Sequence, residues 1–324
     1  MRAILAAPSS PEPCKTNLQL CSTSYFSRLT LKPSIVILTY NSETSIRETL
    51  RSIVALSDDI HVVDSFSKDR TTEIALSYGA KVVQHEFGNY GAQRNWSISS
   101  LPFRYRWQLH LDADERLTPE LRQEIADLKD DTEAVSGFYI PRLMHFLGRP
   151  IRHGGLSPTW HMRLFRSGVG RCEARSYDQH FYVTDGNTRQ LKGRMIDDIK
   201  MSLSEWTMRH NRWSDAEVEE LESDHREGRI QGKLSGNPVE RKRSLRRLYD
   251  GCPLFVRPFA LFFYRYILRL GFLDGYPGFI FYVLQTFWFR FLIDSKLFER
   301  RLTKRSAAEP SCSDEPVAPQ EATP

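Results

Sequence analysis

This 324-residue chain has neither a GxGxxG nor a GxxxxGKS/T loop, which disfavours a dinucleotide or P-loop phosphate site. Its five cysteines, Cys14, Cys21, Cys172, Cys252 and Cys312, are scattered, with no CxxC pair and no metal-ligand spacing. That argues against a disulfide framework and fits a reducing compartment. No internal repeat is visible. The apolar stretch after Met1 is too short for the h-region of a secretory signal, roughly 7–15 residues. What remains is ordinary for a folded protein: 40% hydrophobic and 26% charged residues, with a mildly basic balance of +5. The length allows one large domain, or one domain with appendages.

The run Trp107-Gln108-Leu109-His110-Leu111-Asp112-Ala113-Asp114-Glu115 ends an apolar strand in two aspartates one residue apart. Alternate side chains of an extended segment point the same way, so both carboxylates can face one point. Such a pair suits a divalent cation that in turn holds phosphate oxygens; two solvated loop aspartates are the plain alternative.

Strands are expected at Ser34–Thr39, Asp59–Asp64, Lys81–Gln84 and Arg106–Leu111. Between them lie helical stretches, one capped by Ser42, one stopped by Gly79, and one over Asn89–Ile98. Thr118-Pro119 opens a further helix. This alternation predicts an α/β layer with a mainly parallel sheet and flanking helices. In a parallel sheet the carboxyl ends share one edge, where ligands bind. Thr39, Tyr40 and Asn41, then Asp64, then Asp112 and Asp114, converge on that rim. A nucleotide fits there if Asp64 meets its base or ribose, a metal at the aspartate pair holds its diphosphate, and Arg94 adds positive charge.

The segments SIVILTYN, VVDSFSKDRT, NYGAQRN and LHLDADE, in this order and spacing, resemble family 2 glycosyltransferases, closest to the branch acting in lipopolysaccharide core or exopolysaccharide biosynthesis. The resemblance covers roughly residues 33–300 and implies a glycosyltransferase A-type, Rossmann-like fold. It implies that Thr39, Tyr40 and Asn41 line the nucleotide pocket, that Asp64 meets base or ribose, and that Arg94 approaches the diphosphate. Asp-Ala-Asp stands as the family's DxD, Asp114 being the direct ligand of Mg²⁺ or Mn²⁺ and Asp112 lying nearer the ribose while sharing the metal site. The implied chemistry is an inverting, metal-dependent single displacement, aided by a base from the acceptor half. His180 falls where relatives carry a glutamate; it is the expected base, with Asp178 as orienting partner or rival. His suits the task because its ordinary pKa is near neutral. No QxxRW signature of processive members occurs, which favours transfer of one sugar per encounter; Trp160 is read either as stacking on an acceptor sugar or as a core tryptophan.

The expected organisation is a disordered leader at 1–32 and a catalytic domain at 33–200, with its nucleotide half at 33–115 and acceptor half at 116–200. A helical, basic and aromatic region follows at 201–302, then a disordered tail at 303–324. Within 201–302, Arg241-Lys242-Arg243-Ser244-Leu245-Arg246-Arg247 precedes two aromatic-rich stretches, Pro253–Leu273 and Tyr276–Ile293. Gly275–Phe289 is uncharged for 15 residues, short of the roughly 20 of a spanning helix. Interfacial or re-entrant helices on an anionic membrane surface are expected instead, placing the chain on the cytoplasmic face of the inner (plasma) membrane. No nucleic-acid motif accompanies the basic cluster. The expected partners are a nucleotide-sugar donor and a glycan or lipid-linked glycan acceptor. The rival readings are a sugar-phosphate nucleotidyltransferase, which would normally show a glycine-rich first loop, and a non-catalytic membrane-bound scaffold that keeps the nucleotide pocket.

Overall fold

The structure, a computed structural model, describes residues 30–129, 134–175, 178–223 and 230–308. Four strands form the parallel half of its main sheet: β1 (Pro33–Thr39), β2 (Ile60–Asp64), β3 (Lys81–Gln84) and β4 (Trp107–Asp112), in the order β3-β2-β1-β4. Alternation along β1 explains how it is buried on both faces. Ile35 and Ile37 pack with Ile46, Leu50 and Ile53 of α1 (Ile46–Ile53), whereas Val36 packs with Val63 and Leu101 on the other side. Ser45, not Ser42, occupies the cap position of α1; the Ser42 carbonyl instead accepts the N–H groups of Ser45 and Ile46. Helix α2 (Thr71–Ser77) ends near Gly79, whose φ of +75° suits glycine. Helix α3 (Tyr90–Ser100) links β3 to β4.

Beyond β4 the sheet becomes mixed. The remaining strands are β5 (Glu115–Leu117), β6 (Val135–Phe146), β7 (Arg149–Pro150), β8 (Thr159–Arg166), β9 (Gly170–Cys172), β10 (Phe181–Val183), β11 (Asn187–Gln190) and β12 (Met195–Ile199). Strand β8 runs antiparallel to both β4 and β6, β12 is parallel to β6, and β5 is antiparallel to β12. The expected parallel order thus describes the first half only. The link from β6 to β8 carries no helix, so these strands pair antiparallel. Helix α4 (Pro119–Asp127) opens as expected, with Thr118 accepting from Leu121 N–H and Pro119 in the first turn.

Helices dominate the last third: α5 (Leu203–Glu222), α6 (Pro238–Asp250), α7 (Val256–Phe263), α8 (Gly275–Tyr282) and α9 (Phe289–Ala308). Wider π-type turns extend α7 over Tyr264–Leu268 and join α8 to α9 over Val283–Trp288. Phe281 and Tyr282 pack with Phe146 and Trp206, and Phe289, Ile293 and Leu297 pack with Val218. The expected tail at 303 is still helical to Ala308, where Arg300 and Lys304 pair with Glu222 of α5. At the other end Leu31 joins the core and donates its N–H to Leu128; residues 1–29 and 309–324 lie outside the described residues.

Candidate active site

Register brings the polar strand ends together: Thr39 pairs with Asp64 and Leu38 with Asp112. Asp64 is held within the fold. Its buried carboxylate accepts Thr39 Oγ1 at 3.0 Å, Ser67 N–H at 2.9 Å and Ser67 Oγ at 2.5 Å, so it braces the β2 turn. Asn41, at φ +47°, does similar work: its N–H donates to Ser67 Oγ and its Oδ1 accepts Lys68 N–H. Tyr40 is the exposed member of the trio, at 60%, and its ring is free to meet a base.

The Asp-Ala-Asp turn is pinned on every side. Thr49 Oγ1 donates to the Ala113 carbonyl at 2.8 Å, Asp198 N–H to the Asp114 carbonyl at 3.1 Å, and Asp112 N–H to Glu115 Oε2 at 3.0 Å. Asp112 is clamped by Arg94, at 2.8 and 3.0 Å to its two oxygens, and by Arg163 at 2.8 Å. Burial works to raise its pKa, but the two guanidinium groups outweigh it and hold the carboxyl below its usual range. In this arrangement Asp112 is a partner of arginines rather than an open metal ligand, and Arg94 is already engaged. Asp114 is the contrast. Among the described residues its carboxylate has no ion-pair partner and no hydrogen bond from another residue, only one from its own backbone N–H. Burial and the neighbouring Asp197, Asp112 and Glu115 carboxylates push its pKa well above the ordinary value. Four carboxylates (Asp112, Asp114, Glu115, Asp197) face three guanidinium groups (Arg94, Arg142, Arg163), leaving one negative charge in excess. Among the described residues no three His, Cys, Asp or Glu side chains form a ready metal cage. One free carboxylate with surplus negative charge nevertheless fits a Mg²⁺-type ion, which takes one or two carboxylates plus substrate phosphates and water.

Helix α3 explains why NYGAQRN has its composition. Asn89 caps the helix through Ala92 N–H. A Cβ on Gly91 would stand 2.7 Å from the Glu173 carbonyl, so only glycine permits that approach. Gln93 meets His85 and Ser65, Arg94 reaches Asp112, and Asn95 clamps Cys172 in both directions, at 3.0 and 2.9 Å. Tyr90 was missed in the sequence. Its half-buried phenol is raised in pKa by burial, with the Asp112 and Asp114 charges adding to the rise. Glu115, Arg142, Arg163, Asp197 and Asp198 were missed as well, since they come from strands whose pairing no local pattern announces.

The expected base is differently placed. His180 is buried, with Nε2 3.2 Å from Lys242 Nζ and 3.5 Å from Asp178. Burial, then Lys242, lowers its pKa to about 3. Asp178, at φ +52°, is held by Lys242 at 2.8 Å and Arg243 at 3.0 Å. Burial alone would raise its pKa, but these cations and His180 keep it well below the ordinary range. Arg243 also pairs with buried Glu173, which accepts the His180 N–H. In this arrangement His180 and Asp178 belong to an ion-pair network with Lys242 and Arg243. The same contacts correct the reading of 241–247: Lys242, Arg243 and Arg246 point inward to carboxylates, Arg246 to Glu217 and Asp250. Phe181 joins this network to the rim, its ring 4.9 Å from the Arg94 guanidinium and 5.8 Å from that of Arg163. Trp160 is half-buried and packs against the core cluster that includes Tyr139, Met162, Phe165 and Phe181, a core role alongside the stacking expected of it.

The profile of the family described as glycosyl transferase family 2 matches residues 34–175. Over 97 residues the chain is 40% identical to an uncharacterized glycosyltransferase of Rickettsia bellii (strain RML369-C), covering 30% of this chain and 32% of that one. It is 22% identical over 187 residues to the lipopolysaccharide core biosynthesis glycosyltransferase LpsC of Rhizobium meliloti (strain 1021), covering 56% and 68%. The chain thus spans about a third of the length of the Rickettsia relatives it matches. Among solved structures, S. aureus TarS 1–349 in complex with UDP superposes with a TM-score of 0.43 at 16% identity, over 84% of this chain and 92% of that one. Residues 34–175, which carry the Thr-Tyr-Asn turn, the NYGAQRN helix and the Asp-Ala-Asp turn, are thus the part of this chain that matches glycosyl transferase family 2, and they lie on the mixed sheet described above.

Proposed function

We propose that this chain transfers one sugar, with inversion, from a nucleotide-sugar donor to a hydroxyl of a glycan or lipid-linked glycan, in lipopolysaccharide or exopolysaccharide biosynthesis. The observation that carries the reading is the unpartnered Asp114 carboxylate on a rim where every other acid is paired. The similarity to LpsC supports the acceptor class.

Asp114 would hold a Mg²⁺ or Mn²⁺ ion together with the donor's diphosphate oxygens. Once bound, that ion offsets charge growing on the leaving nucleoside diphosphate. The protein's share is positional. Tyr40 offers a face to the base, and Tyr90 stands beside the diphosphate position. Arg94 and Arg163 keep Asp112 ionised and fixed, so that the turn carrying Asp114 does not shift. A proton must leave the acceptor hydroxyl as it attacks. For His180 to take it, Lys242 has to withdraw, because a buried imidazole beside an ammonium resists protonation.

The test is donor turnover. Purified protein with MnCl₂ or MgCl₂ and a panel of sugar nucleotides should bind and slowly hydrolyse at least one of them, and Asp114→Ala should lower turnover by at least about a hundredfold. No binding and no hydrolysis across the panel would remove the proposal. The absence of a glycine-rich first loop argues against the nucleotidyltransferase alternative.

A further inference from the structure

The segment from Gly251 to Ile293 is unusual in its surface. Its only carboxylate is Asp274, and that side chain is 2% exposed. Phe259, Phe263, Ile267, Phe272, Leu273 and Tyr276 are all more than 40% exposed, Tyr276 reaching 87%. They gather where α7 and its π turns bend back through Gly271–Asp274 into α8, a bend of 71°. The charged groups on this outer surface are arginines: Arg269 is exposed, and Arg265 is half-buried with its pKa lowered to about 10 by burial and then by Arg290. Arg257 turns inward to Asp294.

The bent pair Val256–Leu268 and Gly271–Ser306 together has the length and composition of a broken span, but the length of each arm and the packing favour docking. Among the described residues no single helix is long and apolar enough to cross a membrane. From Val256 to Leu268 the helix rises about 20 Å, against roughly 30 Å of hydrocarbon. The returning arm buries Phe281, Tyr282, Thr286, Phe289 and Ile293 against the protein, so lipid cannot surround it.

The hairpin is also fixed to the rest of the molecule. Asp274 accepts the N–H groups of Arg152 and His153 and meets His153 Nδ1 at 2.6 Å. The Tyr282 hydroxyl lies 2.8 Å from the His153 carbonyl, and a Cβ on Gly154 would strike the Tyr282 ring. The loop so clamped follows β6 and precedes β8, whose Arg163 holds Asp112.

We propose that this hairpin is a monotopic membrane-docking element: its aromatic bend enters the interfacial layer of an anionic bilayer, while both arms stay on one side. An apolar tip flanked by exposed Arg269 and half-buried Arg265, in a segment with no exposed acid, matches an anionic lipid surface in both polarity and charge. Because Asp274 and Tyr282 clamp the bend to the β6–β8 loop, docking fixes the catalytic domain's orientation on the membrane. The proposal does not depend on which sugar is transferred.

Vesicle flotation tests it. The full chain should float with POPC:POPG vesicles and much less with POPC alone. The triple variant Phe272→Ser, Leu273→Ser, Tyr276→Ser should lose at least about tenfold in bound fraction, with its melting temperature and donor hydrolysis unchanged. A full chain that stays at the bottom of the POPC:POPG gradient, or a variant that floats as well as the natural sequence, overturns the proposal. So does a dimer, seen by light scattering without vesicles and dissolved by the variant, which would assign the face to a second copy of this chain. Donor hydrolysis without flotation defeats the membrane proposal alone; flotation without donor hydrolysis defeats only the enzymatic one.

Discussion

Asp114→Asn should make the protein more stable and less active. Asn has nearly the same shape and removes a carboxylate crowded by Asp197, Asp112 and Glu115. The sign is fixed by linkage: an acid whose pKa is raised on folding costs nothing while protonated. There is no cost below its unfolded value near 3.9; the cost grows as pH rises above that value and is complete once pH passes the folded value. The variant should therefore match the natural sequence near pH 4 and exceed it at neutral pH. Relief of one uncompensated, partly buried charge is worth about 1–2 kcal/mol, or roughly 2–6 °C in melting temperature for a domain of this size. Thermal unfolding across pH reads the difference. A second arm adds MnCl₂ with UDP, GDP or CDP in turn. Binding to the folded state raises the melting temperature by mass action, so at least one pair should protect the natural sequence and none the variant. Loss of stability on substitution at neutral pH, a difference independent of pH, or equal protection of both proteins would refute the placement of Asp114 as the open, cation-accepting acid.

Arg163→Met should cost about 3–5 kcal/mol in urea unfolding, because Asp112 and buried Glu115 lose a shared partner; Arg163→Lys should recover only part of it. Gly91→Ala should destabilise by more than about 1 kcal/mol and weaken donor binding by tilting α3 and Arg94, checked by denaturation and isothermal titration. His180, depressed by burial and Lys242, favours the folded state fully above its unfolded pKa near 6.5 and loses that contribution as pH falls toward about 3. Lys242→Met should raise the His180 pKa and so shift this window upward at its lower end, which NMR titration of the imidazole reads directly; an unmoved titration would show that Lys242 has no hold on it.

Much of the nucleotide half was legible because its determinants are local. Apolar runs of strand length alternate with amphipathic stretches, and each ends in a polar residue, so β1, β2 and β4 and their shared edge could be read from spacing. The mixed half was not legible: β8 lies between β4 and β6 by long-range pairing, and nothing near Arg163 in the chain points to Asp112. Asp64 illustrates a subtler gap. A carboxylate at a strand end looks the same in sequence whatever holds it, and only the structure shows the threonine and the serine of the adjoining turns that fix it.

The chain itself determined the Asp-Ala-Asp turn, the capped α3 with its one tolerated glycine, and the aromatic, nearly acid-free C-terminal segment, since propensity, spacing and composition act over a few residues. Only the tertiary structure decided how charge is shared. It gave Asp112 two arginines and Asp114 none, drew Lys242 and Arg243 inward onto Asp178, and left the aromatic bend exposed. Pairing of buried charge depends on which strands become neighbours, and a chain forms those contacts only by folding.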